Sequence, residues 1–549
     1  MARGRDVSFR IRFLPEDRST VADGPVDLFL AAAQSDIWTE QPCGARTACG
    51  KCRVRVVAGE AAMTSADARL LTGAEIADGW RLGCQLTLDR DVTLSIPPQT
   101  RSITPKSFGG DALFADGVQP NVEMHGVSAP FGVAVDIGST SLAAALVDLR
   151  TGQVRGTTSR VNPQVRFGAD VISRIHFAQE HADGNAQLHA SVIEAIGAMI
   201  ADLVAQAEVR AEQVIAIACA GNATMTHAAV GADITPLGQA PYRGSFTSER
   251  QLPASDFGWL TQADALVTFL PMVSHHIGGD TVAGILSTGM DEAEQWQLLI
   301  DLGTNTEVVL GSRHGLLATS TAAGPAFEGA NIEHGMRAAP GAIDRVRVLA
   351  NGRLVVGTVA NQPARGICGS GLIDAVAELH NAGVVVASGY MRSRAECEEA
   401  GVSPRICERL IEAPGSQRRV RFDHDVMLTA QDVRQLQLVK GSIAAGIALV
   451  LQHAGVRAEE LDAVHIAGTF GSFVRKESVQ AIGLVPAIDP ERVHFVGNAA
   501  GVGARMVLVD ARYRERARRI AEQCTYLELA GHADYEDAFI AAIPLGERL

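Results

Sequence analysis

Hydrophobic and polar positions alternate in the first hundred residues as they do in half-buried strands. Residues 7–14 and 52–57 follow this period of two, and residues 91–97 have the composition of a further strand. Between them, residues 26–37 carry apolar side chains at helical spacing. The pattern predicts a small domain of strands and helix over residues 1–97.

The pattern changes after this domain. Residues 98–129 are rich in turn-forming residues and show no sustained period, which predicts a linker that is either a flexible tether or a strap packed on the surface. Residues 130–549 contain buried apolar strands joined by tight turns and helices, as in α/β proteins. Within them a long amphipathic core helix is predicted from residue 432, with Thr429 three residues before Asp432 in a capping arrangement.

Length and charge narrow the classes of function. A chain of 549 residues is too long for one core and predicts three or four domains. The formal net charge of −14 argues against a nucleic-acid-binding surface, which needs to be basic. The start has no apolar leader, and no run of 18 apolar residues occurs, so a cytoplasmic protein without membrane contact is expected.

Four of the nine cysteines lie in the first domain, with spacing Cys-x5-Cys-x2-Cys and a distant fourth. Such thiolates hold two-iron clusters, although the plant-type spacing has one residue fewer in its first interval. Zinc is the alternative, but four-thiolate zinc sites usually pair two short knuckles, whereas the fourth cysteine here stands alone. A disulfide framework does not suit a long chain without a secretion signal. We favour a 2Fe–2S cluster with the ligands Cys43, Cys49, Cys52 and Cys84.

An Asp-x-Gly-[Ser/Thr] turn between two apolar strands occurs twice, 165 residues apart. Its aspartates, Asp136 and Asp301, are expected to face each other across a cleft, hold hydrated Mg²⁺ and orient an attacking water. Glu307 is a third candidate for orienting that water. The glycines allow close backbone approach, and the amides and hydroxyls after them can cradle phosphate oxygens. The residues of these two loops are Gly138, Ser139, Thr140, Gly303, Thr304 and Asn305.

Two other stretches allow two interpretations each. The adjacent histidines at residues 275–276 could be a metal pair, but we favour a structural turn in which Asp280 caps the following helix. The small-residue loop at residues 319–329, which contains Gly324, is either a helix start or a loop that lines a cleft or faces a partner. Neither a Gly-x4-Gly-Lys-[Ser/Thr] loop nor a dinucleotide fingerprint occurs, which favours ATP bound by the duplicated loops over NAD.

The duplicated loops resemble the phosphate loops of the superfamily of acetate and sugar kinases, heat-shock ATPases and actin. Residues 367–377 resemble its second connecting segment, and residues 464–473 resemble its adenosine motif. The first domain resembles two-iron ferredoxins over its whole length. The resemblance implies an α/β protein in which a β-grasp ferredoxin domain precedes a two-lobed actin-like ATPase domain with duplicated mixed sheets. It adds the ATP-binding candidates Gly369, Ser370, Gly371, Gly468, Thr469 and Gly471.

A ferredoxin domain fused to such an ATPase resembles the reductive activators of corrinoid proteins, over nearly the full chain. This resemblance implies ATP-dependent reduction of Co(II)-corrinoid to Co(I) for a methyltransferase system. It also implies a corrinoid-binding protein and a low-potential electron donor as partners, with a homodimer as one assembly that the sequence leaves open. The alternatives are a small-molecule kinase with a redox-sensing ferredoxin, an ATP-gated electron-transfer adaptor, and the activators of radical or benzoyl-type reductases, which lack a separate ferredoxin domain.

Overall fold

The computed structural model describes residues 8–14, 17–28, 31–32, 35, 53–83, 86–96, 108–114, 117–121, 127, 129–168, 170–329, 331–336, 338–412, 417–423, 425–468 and 474–546. The chain divides into two units. The first comprises Met1–Thr104, Pro325–Gln437 and Ser472–Ile482, and the second comprises Pro105–Gly324, Leu438–Gly471 and Gly483–Leu549. The chain therefore passes between the units several times.

The amino-terminal part of the first unit is an α+β domain on a five-stranded sheet. Its elements are β1 (Phe9–Leu14), β2 (Arg18–Ala22), β3 (Val26–Asp27), β4 (Arg53–Gly59), α1 (Ser65–Leu70), α2 (Gly73–Ala77), β5 (Trp80–Leu82), β6 (Thr87–Leu88) and β7 (Val92–Ser95). The sheet order is β2-β1-β7-β4-β5, with β1 parallel to β7 and antiparallel to β2. The alternation in β1 buries Phe9, Ile11 and Phe13 on one face, as predicted.

One helix prediction in this domain needs correction. Val26 and Asp27, at the start of the predicted helix, form the strand β3, which pairs antiparallel with β6. Pairing with a distant segment overrides the local helical spacing, and helical backbone begins only at Leu28. The four predicted cluster ligands, Cys43, Cys49, Cys52 and Cys84, lie outside the described residues.

Residues 108–114 and 117–121, which we call the strap, belong to the second unit and pack on the rest of it. The buried guanidinium of Arg505 donates hydrogen bonds to the carbonyls of Phe108 and Gly109, at 2.8 and 2.9 Å. Phe108 and Phe114 belong to a hydrophobic core cluster of that unit. The amide of Gln119 donates to a carboxylate oxygen of Asp510 at 2.9 Å. For these residues, the predicted linker is a packed strap rather than a free tether.

Eighteen strands and twelve α-helices, besides short 3₁₀ helices, follow in the described residues after 130. The strands are β8 (Phe131–Ile137), β9 (Ser141–Asp148), β10 (Val154–Val161), β11 (Val214–Gly221), β12 (Arg250–Pro253), β13 (Leu266–Phe269), β14 (Gln297–Asp301), β15 (Thr306–Ser312), β16 (Gly315–Thr321), β17 (Ala342–Val348), β18 (Leu354–Thr358), β19 (Gly366–Ile367), β20 (Leu410–Ile411), β21 (Arg419–Arg421), β22 (Met427–Thr429), β23 (Ala463–Ala467), β24 (Val493–Gly497) and β25 (Cys524–Tyr526). The helices are α3 (Val171–Glu180), α4 (Gly184–Gln206), α5 (Ala223–Val230), α6 (Gly279–Thr288), α7 (Gly369–Asn381), α8 (Arg394–Glu399), α9 (Pro404–Cys407), α10 (Ala430–Ala454), α11 (Lys476–Ala481), α12 (Ala499–Val509), α13 (Ala511–Gln523) and α14 (Tyr535–Ala542).

The second unit contains two six-stranded mixed sheets of the same design. Their orders are β10-β9-β8-β11-β13-β12 and β24-β23-β14-β15-β16-β25. In each sheet three consecutive strands form an antiparallel meander, and a later strand, β11 or β23, lies parallel to the first strand of that meander. The duplication predicted from the two Asp-x-Gly turns is therefore confirmed, since each turn follows the first strand of one meander.

The rest of the first unit carries two three-stranded sheets, β18-β17-β19 and β20-β21-β22, with α7 packed on β17. Arg475, immediately before α11, donates to Asp374 at 3.1 Å and to Glu378 at 2.6 Å, both on α7. The predicted cap of α10 is present, because Asp432 and Thr429 each accept a hydrogen bond from the other's amide.

Two of the described helices, α4 and α10, are long and apolar enough to cross a membrane by length and composition. In α4, 44% of the apolar window is buried inside the protein, and in α10 the share is 78%. The buried side of α4 packs on β9 and β10. The apolar residues of these two helices are thus partly or mostly packed inside the protein.

Candidate functional site

The two aspartates of the duplicated turns lie at equivalent places in the two sheets. Asp136 is the penultimate residue of β8, and Asp301 is the last residue of β14. Asp136 is 8% exposed, and Asp301 is half-buried. A strand end is where the backbone of an α/β sheet turns to bind ligands, so both carboxylates lie at such an edge.

Two further carboxylates lie close to this pair. Glu307, on β15, stands directly across the β14–β15 ladder from Asp301 and accepts a hydrogen bond from Ser320 at 3.1 Å. Burial, and then the charges of Asp280 and Asp301, raise the pKa of Glu307 well above its ordinary range. Burial, with a smaller contribution from Asp136, raises the pKa of Asp280 to about 6. The four carboxylates therefore interact as one cluster of like charges.

We call Asp136, Asp280, Asp301 and Glu307 the carboxylate cluster. Like charges that raise each other's pKa favour a bound cation, which removes the repulsion. Among the described residues, no three His, Cys, Asp or Glu side chains form a group that could hold a metal ion by themselves. A cluster that supplies only a few direct carboxylate ligands suits Mg²⁺, which retains several of its waters when it binds to proteins. The donor set therefore fits hydrated Mg²⁺.

Asp280 is not the N-cap of the following helix that its sequence position predicts. The N-cap of α6 is Gly278, without a side-chain capping bond, and Asp280 lies within the first turn. A Cβ atom on Gly278 would lie 2.4 Å from the Cα of Asn222, so the glycine lets α6 start against the end of β11. That approach brings Asp280 close to Asp136. Two glycines before an aspartate were the available sequence signal.

The adjacent histidines form a turn, as predicted. The amides of His276 and Ile277 donate to Ser274 at 3.2 and 3.1 Å. His275 accepts a hydrogen bond from the amide of Gly244 at 3.2 Å.

Both predicted phosphate loops are tight turns. A Cβ atom on Gly138 would lie 2.6 Å from the carbonyl oxygen of Ser141, and one on Gly303 would lie 2.9 Å from that of Asn305. Only glycine permits these approaches without a shift of the loop. Gly324, with φ of +88°, donates its amide to the carbonyl of Thr304 at 3.0 Å. The small-residue loop that contains Gly324 is thereby attached to the second phosphate loop.

The described part of the predicted adenosine motif adjoins the second aspartate. Gly468 follows β23 with φ of +97°, and a Cβ atom there would lie 2.3 Å from the carbonyl of Leu302 and 3.2 Å from a carboxylate oxygen of Asp301. Its amide donates to the carbonyl of Gly497 at 3.0 Å. Thr469 and Gly471 lie outside the described residues.

Three of the predicted ATP-binding residues belong to the first unit. Gly369, Ser370 and Gly371 form the first turn of α7. A Cβ atom on Gly371 would lie 2.1 Å from the carbonyl oxygen of Ile343, so this glycine is needed for the packing of α7 on β17. A requirement for packing explains Gly371 without a ligand.

Stability and Mg²⁺ binding should depend on pH in opposite directions. The raised pKa of Asp280 means that the folded state holds this proton more tightly than the unfolded state does. The stability contributed by protonated Asp280 is present at low pH and is lost as pH rises from 3.8 towards about 6. Glu307, whose pKa is also raised, loses stability in the same direction. Because Mg²⁺ needs ionised carboxylates, we expect the increase in melting temperature on adding Mg²⁺ to grow over the same range.

Thermal melting in matched buffers from about pH 4 to about pH 8, with and without Mg²⁺, measures both effects. Asp280→Asn should flatten the pH dependence and reduce the Mg²⁺ effect. A Mg²⁺ effect that is equal at all these pH values would show that the carboxylate cluster does not hold the cation.

The duplicated mixed sheets, the two tight loops and the carboxylates at the strand ends define an actin-like ATPase, here preceded by a ferredoxin-like domain. Family models divide the chain in the same order. A 2Fe–2S iron–sulfur cluster binding domain matches residues 12–89, the RACo middle region matches residues 131–293, and the C-terminal domain of RACo, the ASKHA domain, matches residues 295–548.

Relatives agree with this assignment. Corrinoid activation enzyme RamQ of Eubacterium limosum is 30% identical over 430 residues, which cover 76% of this chain and 71% of that protein. The [Co(II) methylated amine-specific corrinoid protein] reductase of Methanosarcina barkeri is 26% identical over 412 residues, covering 70% and 71%. A solved structure of a reductive activator for corrinoid, iron–sulfur protein covers 98% of both chains with a TM-score of 0.68 and 29% identity. The chain belongs to the RACo family.

Proposed function

We propose that this protein uses ATP to drive the reduction of a corrinoid-binding protein from Co(II) to Co(I), as the enzyme that activates a methyltransferase system. One observation carries the proposal: a chain with a 2Fe–2S domain and an ASKHA domain is similar over 98% of its length to a reductive activator for corrinoid, iron–sulfur protein. Both curated relatives described above also act on corrinoid systems by name.

The first domain holds the electron donor. The thiolates of Cys43, Cys49, Cys52 and Cys84 are the ligands of the 2Fe–2S cluster, which supplies one electron at a time. These four cysteines are the only ones in residues 1–97, and all four lie within residues 12–89, the range matched by the cluster-binding model.

The second unit holds most of the proposed ATP machinery. The carboxylate cluster holds Mg²⁺ and orients the attacking water, with Asp136, Asp301 and Glu307 as the catalytic candidates. The phosphate oxygens lie against the two tight loops, and the adenosine lies against the motif of residues 464–473, which contains Gly468. The residues of the second unit proposed for these roles are Gly138, Ser139, Thr140, Gly303, Thr304, Asn305, Gly324, Gly468, Thr469 and Gly471. Gly369, Ser370 and Gly371 stay predictions from the sequence, and they belong to the first unit.

The free-energy cost of reducing Co(II) explains why a 2Fe–2S domain and an ATPase occur in one chain. Plant-type 2Fe–2S clusters have potentials near about −400 mV, and Co(I) is a stronger reductant. Each 100 mV of shortfall costs about 2.3 kcal/mol for one electron, so an unaided transfer stalls. A ligand that binds one conformation preferentially can shift an equilibrium by about 5 kcal/mol. Nucleotide binding thus supplies the missing free energy, and hydrolysis resets the protein.

The remaining partners follow from the same chemistry. A low-potential electron donor must reduce the cluster, because a weaker reductant would leave it oxidised. The cytoplasm is the proposed location, and a homodimer is the proposed assembly.

Stopped-flow spectroscopy tests the proposal. Co(II)-corrinoid protein is mixed with the reduced protein in the presence of ATP, ADP or no nucleotide, and Co(I) is followed by its absorbance. We expect Co(I) only with ATP and Mg²⁺. Equal Co(I) formation without nucleotide would refute the coupling, and failure to reduce any corrinoid protein would refute the function.

A further inference from the structure

The first phosphate loop, residues 138–140, is held from one side by two buried polar residues. Asn162, which follows β10, donates from Nδ2 to the carbonyl of Gly138 at 2.9 Å and from its backbone amide to the carbonyl of Thr140 at 2.9 Å. Arg174, on α3, donates from Nη2 to the carbonyl of Ser139. Three consecutive carbonyls of the loop are therefore fixed by partners that the duplicated motif does not contain.

The two side chains belong to one buried network. Asn162 and Arg174 are both fully buried. The Oε1 atom of Gln164 accepts from Arg174 at 3.2 Å and from Asn162 at 3.3 Å, and its Nε2 donates to the carbonyl of Leu188 at 2.9 Å. Arg174 also donates to the carbonyl of Gly168 at 3.0 Å. A network of this kind resists rotation of any one member, because a turned group would leave a buried polar atom unbonded.

The geometry of the peptide bond determines the side to which the amides of this loop point. In a trans peptide, the carbonyl of one residue and the amide N–H of the next point to opposite sides. Fixing the carbonyls of Gly138, Ser139 and Thr140 on one side therefore directs the amides of Ser139, Thr140 and Ser141 to the other. Successive amides on one side form an anion-binding concavity.

On the basis of the proposed function, we infer that Asn162 and Arg174 are positioning residues that preorganise the first phosphate loop for the phosphates of ATP. They act through the loop and do not touch the nucleotide. The Arg174 guanidinium also places a positive charge one peptide behind the site of the phosphate anion, which favours the bound anion. A preformed loop binds ground state and transition state alike, so its loss is expected mainly in KM.

The test compares nucleotide binding in Arg174→Met and Asn162→Ala with the unaltered full-length protein. We expect the Kd for a non-hydrolysable ATP analogue to rise at least about tenfold in each, which corresponds to about 1.4 kcal/mol. The KM for ATP should rise by a similar factor, with kcat changed less than about threefold. Arg174→Lys keeps the charge but loses the fork, and its Kd should lie between those of Arg174→Met and the unaltered protein.

Arg505→Met is the matched control. Arg505 is also a fully buried arginine in the second unit that donates to backbone carbonyls, but those carbonyls belong to Phe108, Gly109 and Gly152. It should lower the melting temperature and leave the Kd unchanged. Hydrogen exchange of the peptide containing residues 138–141 adds a second readout. ATP should protect it in the unaltered protein and in Arg505→Met, but less in Asn162→Ala.

The outcomes separate the inference from the proposed function. If Arg174→Met and Asn162→Ala bind the analogue as the unaltered protein does, the inference is wrong while ATP binding stands. If the unaltered protein binds no nucleotide, the proposed function itself fails. Should Arg174→Met not fold, Asn162→Ala decides by the same Kd and exchange measurements.

Discussion

Asp301→Asn is expected to reduce ATP hydrolysis at least about 100-fold, equivalent to about 2.7 kcal/mol of transition-state stabilisation. The change keeps the shape of the side chain and removes the charge that helps to hold Mg²⁺ and the attacking water. Since a carboxylate oxygen of Asp301 lies close to Gly468, an isosteric amide preserves the packing at this contact. The measurement is steady-state phosphate release at saturating ATP and Mg²⁺.

The same change should make the protein more stable without Mg²⁺. The charge of Asp301 contributes to the raised pKa of Glu307, so its removal lets Glu307 ionise with less repulsion. The melting temperature at neutral pH should rise while activity falls, which is typical of residues kept for function. A loss of both stability and activity would instead indicate a structural role for Asp301.

Asp510→Asn is the control for this prediction. Asp510 is a fully buried aspartate of the same unit that accepts hydrogen bonds from the amides of Gln119 and Arg512. Burial by itself would raise the pKa of Asp510. The hydrogen bonds donated by the Arg512 side chain and by these amides outweigh burial and lower the pKa. Its stabilisation is therefore present above the ordinary pKa of an aspartate and is lost as pH falls. At neutral pH we expect Asp510→Asn to lower the melting temperature and to leave kcat unchanged.

Cys84→Ser is expected to abolish Co(I) formation while nucleotide affinity is retained. A two-iron cluster needs four ligands, and a serine hydroxyl is a poor substitute for a thiolate. The absorbance of the cluster should be lost or strongly reduced after anaerobic reconstitution, and corrinoid reduction should fall to the rate without protein. The proposed ATP-binding residues all lie outside residues 1–97 and need no thiolate, so the Kd for ATP should stay within about twofold.

Cys524→Ser serves as the matched cysteine variant. Cys524 is buried in the second unit, and burial raises the pKa of its thiol to about 12, so it is not a thiolate near neutral pH. The variant should keep the cluster absorbance and the rate of Co(I) formation. Loss of Co(I) formation in both variants would point to general damage, and retention in both would contradict the assignment of Cys84 as a ligand.

The main architecture could be predicted because its signals are local and repeated. Asp136 and Asp301 each follow an apolar strand and precede a glycine turn, so two copies of one short pattern indicate two equivalent sheets. The cap formed by Thr429 and Asp432 was likewise visible, since both partners lie within four residues. The structure adds the strand pairings that such local patterns leave open.

The parts that the sequence did not predict depend on contacts between distant segments. Asp280 joins the carboxylate cluster only because Gly278 lets α6 approach the end of β11. Asn162 and Arg174 reach the first phosphate loop across 24 and 35 residues of sequence, and no periodicity relates them to it. Polar side chains of these types are mostly exposed in proteins, whereas tertiary packing buries Asn162 and Arg174 here.

The contacts of the strap determine where a truncated ATPase fragment can begin. A fragment that begins at residue 130 would lack Phe108 and Phe114, uncover part of the core of the second unit and deprive Arg505 of carbonyl partners. A fragment that begins ahead of Phe108 retains all of these contacts. For protein engineering, the ATPase therefore starts well upstream of its first sheet, and a truncated version made at the apparent domain border would be prone to aggregate.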